Sequence, residues 1–329
     1  MRRGPVTLLL ALGTSGCVLS LGDLSLLGHR RPLEETVVEG EGRDKILLLD
    51  VTGVITDVPS RHAFGLVEEE GTVARVQSML QKAADDRHLK AIVLRINSPG
   101  GGVTASDLVY GELVRFKREH GVPLVASLGD LAASGGYYVA CAADRIVAHP
   151  TTVTGSIGVL LVNLNLEGLL AKVGVRNETF KAGEHKDLLS PFRGATPEER
   201  RIVQRILDSL HGRFVAVVRA NRPRLEVARL PELTDGRIFD AEQARAAGLV
   251  DDVGDLPAAI AAAREAAGLA QARVVMYHRG DETRENIYSR ARPLAAGGDL
   301  QVNLLPIDAG AFAAGPRFMY LWAPGIALR

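Results

Sequence analysis

A serine among small neighbours is the clearest candidate nucleophile in the sequence. Ser134 stands in Ala132-Ala133-Ser134-Gly135-Gly136, where a predicted strand gives way to a predicted helix. The small residues leave room for a substrate backbone, and the Gly135 N–H could face the oxyanion of an acyl-transfer reaction. Position 132 is Ala, so the segment is not the G-x-S-x-G elbow of α/β-hydrolases. The same pattern also fits a serine that caps a helix whose glycines permit close packing.

A glycine-rich segment between a predicted strand and a predicted helix is the second candidate. It has the sequence Asn97-Ser98-Pro99-Gly100-Gly101-Gly102, and consecutive glycines let backbone N–H groups approach a ligand. Three interpretations fit: an oxyanion hole, a turn that requires left-handed residues, and a degenerate dinucleotide-binding fingerprint over Gly100-x-Gly102-x-x-Ala105. The Asn-Ser-Pro before the first glycine disfavours the fingerprint, which needs a tighter turn.

A serine nucleophile needs a general base, and the sequence offers two residue types for it. None of the eight histidines stands in a recognisable triad context. A lysine can serve when its surroundings keep it neutral near pH 7, whereas arginine keeps its proton. Lysine is rare here, with seven among 39 basic residues, and Lys186 lies in a loop after a predicted strand. Lys186 is therefore a candidate base, although a solvated loop lysine is the simpler interpretation.

Composition sets the class of protein. The 329 residues are 47% hydrophobic and 24% charged, which predicts one large or two ordinary globular domains and excludes disordered and fibrous classes. The formal net charge is zero and aromatic residues are only 5% of the chain, so we expect no nucleic-acid partner.

Apolar runs alternate with helical patterns, which predicts an α/β fold with a parallel sheet. We expect residues 197–221 to form a long helix, with Thr196 and Glu199 as its capping box. Strands are predicted at residues 46–51, 91–96, 123–128, 145–148 and near 178–180, and further helices at 72–84, 105–116, near 166–172, 240–247 and 257–267.

The N-terminus resembles an export signal. Met1-Arg2-Arg3 precedes a short apolar run, and Thr14-Ser15-Gly16-Cys17 is similar to the lipobox of bacterial lipoproteins, with Thr14 where Leu is usual. Acylation of Cys17 would then tether the protein to a membrane. Two alternatives stay open: an uncleaved anchor over the uncharged residues 4–22, and a soluble exported protein with an inert Cys17.

The predicted organisation has four parts. Residues 1–17 are the export signal, and residues 18–44 form an acidic, weakly periodic tether with an edge strand near 36–38 as the alternative. Residues 45–275 form the ordered domain, and residues 276–329 form an irregular C-terminal tail.

Four segments, in order, resemble the signal peptide peptidase SppA family over about residues 45–270. The family consists of Ser/Lys serine proteases on the ClpP/crotonase fold. The matching pieces are Ile96-Asn97-Ser98-Pro99-Gly100-Gly101-Gly102-Val103, Ala132-Ala133-Ser134-Gly135-Gly136-Tyr137-Tyr138, Thr154-Gly155-Ser156-Ile157-Gly158-Val159, and Lys186.

The resemblance implies a role for each candidate residue. Ser134 would be the nucleophile, Lys186 its general base, and the Gly101 and Gly135 N–H groups the oxyanion donors, with no cofactor and no metal. Substrates would be cleaved signal peptides or other apolar, extended peptides. We expect a homo-oligomer in the cell envelope, tethered to a membrane with its catalytic domain outside the cytoplasm, in which neighbouring subunits complete each site.

Two other functions on the same fold stay open at this point. One is a crotonase-type acyl-CoA enzyme, which uses a similar oxyanion hole without the Ser/Lys pair, and export to the envelope counts against it. The other is a catalytically inactive scaffold, and the intact Ser134 and Lys186 count against that.

The lipobox-like end can be tested directly. We expect Cys17 to be acylated and the mature protein to partition into detergent, because the acyl chains bury apolar surface in a membrane or a micelle. In Cys17→Ser we expect an unprocessed precursor or a released protein, measured by intact mass and by phase separation. A Cys17→Ser protein that stays in the membrane at wild-type mass would support the uncleaved anchor instead.

Overall fold

A mixed sheet with a parallel centre forms the core of the structure, a computed structural model that describes residues 32–62, 67–280, 284–289 and 317–322. Its strand order is β1-β12-β2-β5-β6-β7-β11, with β8, β9, β10 and β13 added near the end of β5 and β6. The strands of the main sheet are β1 (Leu33–Glu39), β2 (Lys45–Ile55), β5 (Leu89–Gly102), β6 (Leu124–Ala133), β7 (Arg145–Ala148), β8 (Val153–Gly155), β9 (Leu160–Leu161), β10 (Ile238–Asp240), β11 (Asp252–Val253), β12 (Arg273–Arg279) and β13 (Phe318–Leu321). A separate antiparallel pair consists of β3 (Ser60–His62) and β4 (Val67–Glu69).

Helices cover both faces of this sheet, as a parallel sheet with apolar residues on both faces requires. On one face α1, α2 and α3 pack over the larger apolar core, and on the other face α8 packs over a smaller one. The helices are α1 (Thr72–Ala84), α2 (Val103–His120), α3 (Gly135–Ala140), α4 (Glu167–Lys172), α5 (Pro197–Asn221), α6 (Leu230–Leu233), α7 (Ala241–Ala246) and α8 (Leu256–Ala266), with a 3-10 turn at Val227–Arg229.

The strongly patterned elements are confirmed. Helix α1 and strand β7 occupy the predicted residues, and α5 begins at the predicted capping box, in which Thr196 and Glu199 satisfy each other's backbone N–H groups. Cys141 is buried, as a small apolar residue would be. The α/β class is therefore as expected, with parallel pairing from β2 through β5 and β6 to β7.

The strand predicted near residues 178–180 is wrong. These residues are irregular and exposed, and the Phe180 side chain is 94% accessible to solvent. A strand is stabilised by a paired neighbour and a covered face, and no strand pairs with this segment in the described part of the chain.

The tether predicted over residues 18–44 is wrong in its second half, where the alternative of an edge strand near 36–38 is confirmed. Leu33–Glu39 forms β1, which pairs antiparallel with β12 and covers what would otherwise be an open sheet edge. The ordered domain therefore begins at Leu33 rather than at Lys45. Residues 1–31, including Cys17 and the predicted export signal, lie outside the described residues.

The irregular tail predicted over residues 276–329 also needs correction. β12 continues to Arg279, and Phe318–Leu321 forms β13, which pairs with β5 and β9. The physical reason is long-range pairing that a local pattern does not show. Among the described residues, no helix is long and apolar enough to cross a membrane.

The glycine end of β5 is where three strands meet most closely. Gly101 is paired with Ile55 of β2 on one side and with Tyr320 of β13 on the other. A Cβ atom at Gly101 would lie 2.1 Å from the Ile55 carbonyl oxygen and 2.6 Å from the Ile55 nitrogen. Position 101 therefore requires glycine for close backbone approach.

We expect Gly101→Ala to lower the free energy of unfolding by about 1–3 kcal/mol or more, because the new methyl group overlaps a fixed backbone. Gly111→Ala is the matched control. Gly111 lies within α2, and a Cβ atom there would have nothing within 4 Å. Alanine at this position should therefore raise the free energy of unfolding by about 0.5–1 kcal/mol. Urea denaturation measures both variants, and a Gly101→Ala protein as stable as wild type would refute the packing argument.

Candidate active site

Ser134 lies at the junction of β6 and α3 in an unusual backbone conformation. Its φ of 53° and ψ of −117° correspond to the first central residue of a type II′ turn, a position that favours glycine. The Ser134 N–H donates to the Gly155 carbonyl at 2.8 Å, and the Ser134 carbonyl accepts from the Tyr138 N–H at 2.8 Å. The surrounding structure thus holds a strained residue in place, which is typical of functional sites.

The Ser134 side chain is buried but has no hydrogen-bond partner among the described residues. The residue is 1% exposed, and its hydroxyl makes no hydrogen bond to the described part of the chain. A fixed backbone with an unengaged hydroxyl at a strand-to-helix turn suits a nucleophile, because the hydroxyl is available to a base and to a substrate.

Gly135 and Gly136 bring the start of α3 against the glycine end of β5. A Cβ atom at Gly135 would lie 2.4 Å from Ser106 Oγ, and one at Gly136 would lie 2.7 Å from the Ser98 carbonyl oxygen. On the facing strand, Gly100 has a φ of 99°, and a Cβ atom there would lie 2.6 Å from the Gly135 nitrogen. The structure therefore places the Gly135 backbone N–H next to the glycine-rich segment.

A peptide carbonyl lies between these two glycine segments. The Tyr320 carbonyl oxygen would be 1.9 Å from a Cβ atom at Gly100 and 3.0 Å from one at Gly135. Trp322 N–H donates to the Pro99 carbonyl at 2.8 Å. Along an antiparallel ladder, hydrogen-bonded residue pairs alternate with pairs that are not hydrogen-bonded. Trp322 and Pro99 form a hydrogen-bonded pair, and Tyr320 and Gly101 are the pair two residues further along. The Gly101 N–H and the Tyr320 carbonyl are therefore directed toward each other.

Two polar residues that the sequence motifs contain, but for which we predicted no role, fix the glycine segment. Ser98 is fully buried, and its hydroxyl donates to the Gly53 carbonyl at 2.6 Å and accepts from the Gly100 N–H at 3.0 Å. Asn97 accepts from the Leu131 N–H at 3.2 Å and so joins β5 to β6 just before Ser134. The available signal was the polar Asn-Ser pair directly after a mostly apolar strand.

Lys186, by contrast, lies on the surface. It is exposed in a turn where its N–H donates to the Gly183 carbonyl at 3.2 Å. No hydrogen bond joins Lys186 to Ser134 among the described residues, so the structure does not bring the two side chains together within one chain.

The segment that carries Lys186 is held by a charge network around Arg193. The Arg193 guanidinium donates to Asp187 at 2.7 Å and to Glu199 at 2.8 Å, and Lys181 donates to Asp187 at 2.6 Å. Lys186 forms no ion pair in the described part of the chain, so its ammonium group, unlike that of Lys181, is not stabilised by a carboxylate.

The same network keeps its carboxylates ionised. The bonds from Arg193, and from the Thr196 N–H, lower the pKa of Glu199 to about 2. Arg193, followed by Lys181, holds the pKa of Asp187 well below its usual range. A carboxyl with a lowered folded-state pKa stabilises the fold above its unfolded pKa and loses this effect as the pH falls through the folded value. The Glu199 contribution is therefore complete above about pH 4.5 and is lost toward pH 2.

The sequence matches a known family of peptidases. The family model for peptidase family S49 matches residues 116–270. A protein of Enterococcus faecium, provisionally named signal peptide peptidase SppA, is 37% identical over 76% of this chain and 72% of its own length. The chain belongs to peptidase family S49, the SppA family. It is therefore a serine peptidase with the ClpP/crotonase-like α/β fold.

Other relatives of this SppA-family chain carry protease names. A Synechocystis protein provisionally named as a protease is 41% identical over 64% of this chain and 70% of its own. Protease 4 of Salmonella typhi is 38% identical over 59% of this chain and 31% of its own. No group of three or more His, Cys, Asp or Glu side chains that could hold a metal ion occurs in the described residues.

The strain at Ser134 has a measurable consequence for stability. Ser134→Gly and Ser134→Ala remove the same hydroxyl, but only glycine adopts the observed backbone angles without strain. We expect the glycine variant to be more stable than the alanine variant by about 1 kcal/mol, since strain of about 1–3 kcal/mol exceeds the entropic cost of glycine. Thermal unfolding measures the difference, and equal stabilities, or a less stable glycine variant, would contradict a strained turn.

Proposed function

We propose that this SppA-family chain cleaves peptide bonds with Ser134 as nucleophile and Lys186 as general base. The observation that carries the proposal is the strained backbone of Ser134 directly before Gly135, with the Tyr320 carbonyl close to both Gly135 and Gly100. Backbone donors that are fixed before the reaction stabilise an oxyanion without rearrangement. Gly101 and Gly135 are the proposed donors.

The proposed reaction proceeds through an acyl-enzyme. Neutral Lys186 accepts the Ser134 hydroxyl proton while Oγ bonds to the substrate carbonyl carbon, and the resulting oxyanion faces the two glycine N–H groups. The C–N bond then breaks, and the leaving amine takes the proton from Lys186. Lys186 next deprotonates a water molecule, which attacks the ester and restores the Ser134 hydroxyl.

We propose that a second copy of the chain supplies Lys186. Within one chain Ser134 is buried and Lys186 is exposed, and no hydrogen bond links them. The stretch of chain before Lys186 also exposes apolar side chains, among them Leu169, Val173 and Phe180. Such a surface suits burial in a homo-oligomer, where it would also exclude water from the lysine.

The proposed substrates are apolar, extended peptides, signal peptides among them. An extended peptide can pair with the glycine end of β5, which is where β13 pairs in this structure. The relative named signal peptide peptidase supports the choice of signal peptides. An envelope location with a membrane tether, through the lipobox-like Cys17, would place the enzyme where such peptides accumulate.

The dyad and the shared site are tested together by mixing two inactive variants. We expect Ser134→Ala and Lys186→Arg each to fold and to lose hydrolysis of an apolar reporter peptide, because arginine keeps its proton. If each site combines Ser134 of one copy with Lys186 of its neighbour, a co-refolded equal mixture should regain activity at about a quarter of its sites.

Lys181→Arg is the matched control for the lysine, since Lys181 lies in the same segment but is paired with Asp187. It should keep wild-type turnover. Wild-type turnover by Lys186→Arg would overturn the base assignment, and an inactive mixture of two folded variants would place both residues of the dyad in one copy.

A further inference from the structure

A buried serine near the start of α2 stands where the helix otherwise carries apolar residues. Ser106 is fully buried and lies on the same face of α2 as Val109, Leu113 and Phe116, which belong to the larger apolar core. Its hydroxyl makes no hydrogen bond among the described residues. Position 106 therefore combines a polar side chain, complete burial and the absence of a hydrogen-bond partner in the described part of the chain.

The stability of the fold does not explain a serine at this position. A buried hydroxyl without a partner destabilises the folded state, because water satisfies the same group in the unfolded chain. Within a helix a serine can avoid this cost by donating to the carbonyl four residues earlier, which for Ser106 belongs to Gly102. The Ser106 hydroxyl does not form that bond.

The Ser106 hydroxyl instead packs against Gly135, the first residue of α3 and a proposed oxyanion donor. A Cβ atom at Gly135 would lie 2.4 Å from Ser106 Oγ, so the hydroxyl oxygen occupies the space that a side chain at position 135 would take. The same Cβ atom would lie 3.0 Å from the Tyr320 carbonyl oxygen and 3.1 Å from Gly100 Cα. Gly135 is therefore closely surrounded, and Ser106 makes the tightest of these contacts.

The direction of the Gly135 N–H depends on contacts of this kind. Because Gly135 is the first residue of α3, its N–H has no partner within the helix and is free to bind an oxyanion. Glycine has no side chain that could hold its own backbone in place, and it adopts a wider range of backbone angles than other residues. Groups outside α3 must therefore fix this peptide unit.

Ser106 links the two proposed oxyanion donors. Helix α2 begins at Val103, directly after β5 ends at Gly102, so no loop separates Ser106 from the glycine end of β5. The segment that carries Gly101 therefore also carries the hydroxyl that packs against Gly135. A contact of this kind sets the distance between the two N–H groups.

We infer that Ser106 is a positioning residue that holds the Gly135 N–H in place relative to the Gly101 N–H. The inference rests on the proposed function, in which these two groups bind the oxyanion. Ser106 exchanges no proton and acts on the reaction only through Gly135. A displaced donor weakens binding of the transition state, where the charge develops, more than binding of the substrate.

The test measures hydrolysis of an apolar reporter peptide by the full-length chain. Ser106→Ala should lower kcat about tenfold or more and change KM less than about twofold, because Gly135 loses the contact that positions its N–H. Its Tm should equal or exceed that of the wild type, because an unpartnered buried hydroxyl has been removed. A serine that only supports the fold would give the opposite pattern, a lower Tm with an unchanged kcat.

Ser127→Ala is the matched control. Ser127 is also a buried serine, but it lies within β6 between Arg95 of β5 and Val147 of β7. The same substitution at this position should leave kcat and KM at their wild-type values. Unchanged kcat in Ser106→Ala, an equal loss of kcat in both variants, or a Ser106→Ala protein that does not fold would overturn the inference.

A peptide aldehyde gives a second readout, because its tetrahedral adduct with Ser134 resembles the transition state. In Ser106→Ala its inhibition constant should rise by about the factor by which kcat/KM falls, while KM stays near the wild-type value. A fall in kcat with an unchanged inhibition constant would contradict a role in the oxyanion hole.

The space shared by Ser106 and Gly135 allows a second-site test. Gly135→Ala places a methyl group onto the Ser106 hydroxyl and should lose most of the activity. Ser106→Ala combined with Gly135→Ala removes this overlap and returns an atom to the same space, so the double variant should be about tenfold more active than Gly135→Ala alone. Equal activity of the double variant and Gly135→Ala would count against the contact.

The reactivity of Ser134 separates this inference from the proposed function. If Ser134 of the wild type does not react with a fluorophosphonate, or if Ser134→Ala still hydrolyses the reporter peptide, the proposed function itself fails. If the wild type hydrolyses the peptide through Ser134 and Ser106→Ala keeps full kcat, only the role of Ser106 fails.

Discussion

The rest of this structure depends on one constraint: backbone segments approach so closely at a few positions that only glycine fits there. At one point in the sheet, β2, β5, β13 and the start of α3 approach so closely that a Cβ atom on β5 or α3 would overlap the neighbouring main chain. Gly101 faces Ile55 at a distance that excludes any side chain, and Gly136 faces Ser98 in the same way. Because backbone N–H groups are rigidly held there, they can act as oxyanion donors without first having to be oriented.

The proposed nucleophile and the proposed base are held by different parts of the structure. Ser134 sits in a strained turn that hydrogen bonds to Gly155 and Tyr138 hold in place, so its position follows from the sheet. Lys186 sits on a surface segment that the Arg193 network ties to the start of α5. The function we propose requires that the lysine segment is brought over the serine, and in our proposal a second copy of the chain does this.

The elements that the sequence predicted correctly are those that local interactions determine. Apolar runs identified β2, β5 and β7, the Thr196–Glu199 capping box identified the start of α5, and the residues around Ser134 identified a strand-to-helix turn. Strand β1 was foreseen only as an alternative to a tether, and β13 was not predicted, because the stability of both strands comes from partners more than 200 residues away. The packing of Tyr320 against Tyr138 and Phe214 could not be predicted for the same reason, since these two rings come from separate helices.

Attack by Ser134 on a carbonyl held by the glycine N–H groups of β5 and α3 is the central claim. The most direct measurement is a crystal structure of the full chain with a peptide boronic acid that carries an apolar side chain next to boron. We expect a bond from boron to Ser134 Oγ and one boronate oxygen about 2.7–3.1 Å from both the Gly101 and the Gly135 nitrogens. Boron bound to another side chain, or an oxygen turned away from both nitrogens, would contradict the claim.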